Sequence, residues 1–154
     1  MTDNAHAYKP RIKADLVYLQ ALGQALYNFT YLEWVVIWTI VKLSHDGFGS
    51  VPTGKTAREI ARALTNAIQN RSPSLSKTVR RKLVEFANAY RDAFAARNKR
   101  LHAHPYTAPT GAQQLRGGGH EWPLEHVHAA AKLFEDAAIF GNGIFHGELA
   151  QSPP

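Results

Sequence analysis

From Ile12 to Leu43 apolar side chains return every three or four residues: Ile12, Leu16, Leu19, Leu22, Leu26, Phe29, Val36 or Ile37, Ile40 and Leu43. A period near 3.6 sustained this long excludes a strand and commits the segment to one long helix or two collinear ones. The pattern stops near His45-Asp46-Gly47, a polar sequence closed by glycine. Three more helical periods follow. One covers about 56–70, with Ile60, Leu64 and Ile68 on one face. A second covers about 75–101, with Val79, Leu83, Phe86, Tyr90 and Phe94. The last covers about 123–140, with Val127, Ala131 and Phe134. Phe48 to Gly54 reads as a loop, and Arg71 to Ser74 as a connector rich in capping residues. Residues 103–120 carry two prolines and a glycine run, with room for a hairpin around Thr110-Gly111 bearing Tyr106 and Leu115 on its arms. The expected fold is all-α, an antiparallel bundle of four to five helices over residues 11–146. A flexible arm over 1–10 and a flexible tail over 147–154 flank it.

Composition narrows the class. A chain of 154 residues buries roughly two thirds of its unfolded surface, enough for one core without covalent staples. With no cysteine, a disulfide framework, a thiolate metal site and a cysteine nucleophile are excluded. The first thirteen residues lack an apolar signal region. The most apolar window, Trp34 to Val41, falls well short of the roughly 20 residues a membrane span needs. A cytoplasmic protein without membrane attachment is expected.

Between Phe29 and Val41 the first helix is apolar nearly all round, because Tyr31, Trp34, Val35 and Trp38 lie off its main stripe. A helix with one buried face would be polar there. Either a second copy covers this face, giving a homodimer through Tyr31, Trp34 and Trp38, or the C-terminal half of the chain does.

The formal net charge of +6 is uneven. Residues 71–104 hold nine basic side chains against two acids, Glu85 and Asp92. Such a segment suits a phosphate-bearing partner, or forms a solvated helix face. Two charges also fall on apolar stripes: Glu33 on the first helix and Arg97 on the third. A charge in a core position needs a partner. The two residues can serve each other, or Glu33 can take another basic group.

Arg97 opens the run Arg97-Asn98-Lys99-Arg100-Leu101-His102-Ala103-His104-Pro105. An arginine, a polar residue directly after it and a histidine at the end of a basic helix resemble the signature of the HEPN superfamily. Its pattern is an arginine, four to six residues and a histidine. Arg97, Asn98 and His102 match it, and the early acidic residue Glu33 resembles the family's layout. His104 also fits the looser spacing, although Pro105 disfavours helical geometry there. Ala103 stands where many members have glycine. The resemblance implies a dimeric helical bundle with two motifs in a shared cleft. It also implies metal-independent endoribonuclease activity, often in toxins or defence effectors with an antitoxin partner. Some members are non-catalytic binding or regulatory modules.

The chemistry is consistent with that pattern. Cleaving RNA without metal needs a base for the 2′-hydroxyl and a cation at the phosphate. Histidine titrates near neutrality and arginine keeps its charge in a planar fork. Asn98 would orient the group, and Lys77, Arg80, Arg81, Lys99 and Arg100 would hold backbone phosphates. No cofactor or metal is expected. His126 and His128 sit two apart on a helix, and His120-Glu121 lacks a second histidine. Gly49 to Thr56 spells a P-loop, with Lys55 and Thr56 as its phosphate and magnesium ligands. That motif requires a preceding strand, whereas the same residues also read as a helix-capping loop.

Overall fold

The computed structural model describes residues 14–44 and 54–150. Four helices dominate: α1 (Leu16–Leu43), α2 (Ala57–Arg71), α3 (Lys77–Leu101) and α4 (Leu124–His146). Between α3 and α4 lies a small antiparallel sheet of β1 (His104–Thr107), β2 (Gln113–Gly117) and β3 (His120–Trp122), in that order. The molecule is mostly helical, as its periodicity indicates, but the sheet makes it less than all-α. The arm over 1–10, Ile12 and residues 45–53 lie outside the described residues.

Three of the four helices start where a side-chain oxygen accepts an orphan amide, whereas α4 starts at Pro123 without such a cap. Asp15 accepts from Tyr18 N at 3.0 Å, and Ser76 accepts from Val79 N at 3.2 Å. Thr56 and Glu59 form a reciprocal capping box at the start of α2. A 3-10 turn over Ser72–Ser74 joins α2 to α3. The sheet follows from turn chemistry. Gly111, with φ of +85°, closes the β1–β2 hairpin, which pairs Tyr106 with Gln114 and Pro105 with Leu115. Gly118 and Gly119 both adopt positive φ and form a two-residue turn that pairs Gly117 with His120. This second hairpin adds β3, a strand that short alternation alone does not reveal.

The core joins all four helices, and α1 packs most extensively on α4. Its α1 face is Tyr18, Ala21, Ala25, Phe29, Leu32, Val36 and Ile40. This corrects the expected leucine stripe, since Leu16, Leu19 and Leu26 are exposed. The physical reason is close approach. The alanines of α1 meet an alanine-rich face of α4, where Ala130, Ala131, Ala137 and Ala138 are buried, and small contact residues let helix axes come near. Asn28 Nδ2 accordingly reaches the Ala131 carbonyl at 3.0 Å.

The last helix runs past its expected end near Phe140 because Gly141 and Gly143 are helical. A Cβ on Gly141 would stand 2.3 Å from Phe86 Cζ, so glycine is what lets α3 and α4 touch there. Beyond α4, Glu148 pairs with Lys82 and Leu149 is buried, which docks residues 148–149 onto the body. Among the described residues no helix is long and apolar enough to cross a membrane.

Candidate functional site

Arg97 lies four residues before the end of α3, half-buried. Its guanidinium carbon sits 4.9 Å from the centre of the Phe29 ring, and Nη1 donates to Asn98 Oδ1 at 3.2 Å. Its Nε is buried without a partner. Glu33 is half-buried on α1, and its carboxylate accepts from the Tyr90 hydroxyl at 3.1 Å. Among the described residues no ion pair joins Glu33 to Arg97. The acid is satisfied by a neutral phenol instead of the guanidinium. Burial, and then the Glu33 charge, push the Tyr90 pKa far above the usual phenol range, while Arg97 pulls against them. Tyr90 therefore stays protonated and stands electrostatically between the two charges. In the sequence it reads only as a core aromatic. Its place beside two off-pattern charges was the available clue to a larger role.

An apolar hollow of about 200 Å³ adjoins Arg97, bounded by Leu22, Leu26, Phe29, Arg100 and Leu101 among others. Leu26 and Leu101 at its edge are more than half exposed. His102 is the C-cap of α3 and is exposed. Its position is useful for a proton acceptor in contact with solvent, yet no hydrogen bond ties it to Arg97 or Asn98. His104 is exposed at the start of β1, opposite Arg116. The strand geometry there accords with the restriction Pro105 places on it.

The expected phosphate ligands divide into three groups. Lys77, Arg80 and Arg81 are exposed at the start of α3, and Arg81 forms a 4.0 Å ion pair with Glu85. At 1.5 Å per residue they stand some 24 to 30 Å along the axis from Arg97. They belong to a different part of the surface from the motif. Lys99 is exposed beside the motif. Arg100 is committed to the fold. Its guanidinium stacks 4.2 Å from the Trp122 ring and donates to the carbonyls of Ala96 at 2.7 Å and His126 at 3.1 Å. Burial lowers its pKa, but a guanidinium remains charged. Tyr18 completes this junction by donating to the Trp122 carbonyl at 2.6 Å and accepting from Leu115 N at 3.0 Å.

Tyr31 and Trp34 are exposed on α1. With Trp38, Asn142 and Phe145 they bound an open hollow of about 400 Å³. Of the P-loop string, Gly49 to Thr53 lie outside the described residues. Gly54 has φ of +73°, and Thr56 is spent as the α2 cap. Among the described residues the regular element ahead of it is the helix α1, not a strand. Among the described residues no group of histidine and carboxylate side chains could hold a metal ion. Comparisons with protein-family models, with curated proteins and with solved structures find no match to this chain.

Proposed function

We propose that the chain is a metal-independent endoribonuclease of HEPN type, with Arg97 as the phosphate-binding cation and His102 as the base. The observation that carries this reading is Arg97 itself: a half-buried guanidinium, fixed over a ring, with a buried Nε and no carboxylate partner. Burying such a group is costly unless an anion completes it. His102 would take the 2′-hydroxyl proton. The 2′-oxygen would attack phosphorus and the P–O5′ bond would break, leaving a 2′,3′-cyclic phosphate. The departing 5′-oxygen would take a proton from water. Arg97 would neutralise the charge that builds on the phosphoryl oxygens, Asn98 would hold Arg97, and Glu33 with Tyr90 would support it from behind. Lys99 would contact a flanking phosphate, and Lys77, Arg80 and Arg81 more distant RNA.

The protein would act as a homodimer. The exposed Tyr31 and Trp34, beside Trp38, form the surface that supports this pairing. A toxin or defence role would require an antitoxin to restrain the enzyme. One observation favours a second reading, a non-catalytic binding module of the same fold: no hydrogen bond orients His102 toward Arg97.

Incubation of the protein with total RNA in EDTA tests the proposal. Cleavage that persists in the chelator, yields cyclic phosphate ends and disappears in Arg97→Ala and His102→Ala is the expected result. Loss in His104→Ala alone would move the base to His104. Cleavage that requires magnesium and dies in Lys55→Ala would refute the proposal in favour of a nucleotide-dependent enzyme. RNA binding with no cleavage would favour the binding module.

A further inference from the structure

Three arginines converge in a groove between α2 and α3 that the Arg97 motif does not include. Arg58 and Arg62 stand one turn apart on α2, and Arg91 faces them from α3. The groove has a volume of about 320 Å³ and is floored in part by the half-buried ring of Phe94. Arg91 is held in position by bonds from Nη2 to Thr65 Oγ1 at 2.8 Å and from Nη1 to Asn88 Oδ1 at 3.2 Å.

Among the described residues none of the three arginines is in an ion pair. The only acid on α2, Glu59, is engaged by the backbone and side chain of Thr56, although Arg62 and Lys55 also lower its pKa. On α3, Glu85 pairs with Arg81, and the exposed Asp92 makes no ion pair. Like charges one turn apart on a helix cost stability. A fold that also brings a third cation to them is suited to an anionic ligand.

Groove and motif are neighbours along α3. Phe94 precedes Arg97 by one turn and packs edge-on to Tyr90, with ring centres 6.0 Å apart. Arg58 and Arg62 are about 6 Å apart along the axis, comparable to the step between neighbouring phosphates of an extended strand. A guanidinium track beside an aromatic floor is the chemistry of single-strand binding: charge for the backbone, a ring face for a base.

We propose that the α2–α3 groove binds a single-stranded RNA segment and leads it to Arg97, with phosphates on Arg58, Arg62 and Arg91 and a base against Phe94. The choice of RNA rests on the ribonuclease reading; the anionic character of the ligand does not.

Fluorescence anisotropy with a labelled twelve-nucleotide RNA of mixed sequence, between 50 and 200 mM salt, tests this. Arg58→Gln, Arg62→Gln and Arg91→Gln are combined in one variant. A control carries Lys42→Gln, Arg116→Gln and Lys132→Gln, which removes the same charge elsewhere. Circular dichroism checks that both fold. The groove variant is expected to bind at least tenfold more weakly. The slope of log affinity against log salt should fall by about 2, at roughly 0.7 per lost phosphate contact. The control should lose less than threefold, and Phe94→Leu should weaken binding severalfold with its salt slope intact. RNA binding through the groove with no cleavage would uphold this inference while the nuclease reading fails. A groove variant that binds like the parent, while the parent cleaves RNA, would overturn the inference and leave that reading standing. Failure of the parent protein to bind the RNA would also overturn it.

Discussion

Arg100 is the sharpest test of how this chain distributes its arginines between fold and ligand. Groups from three elements meet at its guanidinium: the Trp122 ring of β3 at 4.2 Å, the Ala96 carbonyl of its own helix α3 at 2.7 Å and the His126 carbonyl of α4 at 3.1 Å. Replacing Arg100 by alanine removes a partly desolvated cation–π contact, worth about 1 kcal/mol. It also removes two hydrogen bonds from a charged donor, each worth about 1 kcal/mol at a half-exposed site. A loss of roughly 2 to 3 kcal/mol is expected, lowering Tm by about 5 to 10 °C for a domain of this size. Arg100→Lys keeps a cation but cannot reach both carbonyls from one planar fork, so it should recover less than half of that loss. The assays are thermal and urea denaturation of Arg100→Ala, Arg100→Lys and Lys99→Gln beside the parent, with RNA affinity measured on each. Lys99→Gln should leave Tm unchanged and weaken RNA binding modestly. If Arg100→Ala keeps the parental Tm and instead loses RNA affinity, Arg100 is a phosphate ligand and its assignment to the fold is wrong.

Further predictions concern packing and pH. Gly141→Ala should lower stability by about 1 to 3 kcal/mol, because its Cβ would meet Phe86 at 2.3 Å. Gly143→Ala, with nothing within 4 Å, should raise stability by up to about 1 kcal/mol, both read from urea midpoints. Tyr90→Phe should cost about 1 to 2 kcal/mol through the lost bond to Glu33, and a melting curve identical to the parent's would refute that bond's importance. Glu59 and Glu148 are held below the ordinary carboxyl value of 4.5, by hydrogen bonds from Thr56 and from Lys82 respectively. A depressed folded value means that their contribution is present above pH 4.5 and is lost as the pH falls from there through the folded values. Glu148→Gln should flatten this acid limb in a plot of urea midpoint against pH, and an unchanged limb would show that the Lys82 contact adds nothing.

What local chemistry dictates was legible residue by residue. The 3.6 period of α1, the helix-capping loop before α2, the stripe of α3 and the Thr110-Gly111 hairpin depend on neighbours a few positions away, so the chain alone determines them. The same holds for Arg97 and Glu33 as charges on apolar faces. Other features depended on what lay opposite. The first helix has two apolar faces, and only the alanines of α4 decided that Ala21 and Ala25 turn inward while Leu16, Leu19 and Leu26 turn out. Gly141 continues a helix because Phe86 lies across from it, although glycine by itself argues for an end. Arg100 and Lys99 are adjacent and chemically alike, yet one is stacked on Trp122 and the other is exposed. Arg58, Arg62 and Arg91 become one groove only when α2 and α3 lie side by side. Period and capping are properties of a segment, whereas burial and the meeting of charges are properties of pairs of segments, which the tertiary fold alone brings together.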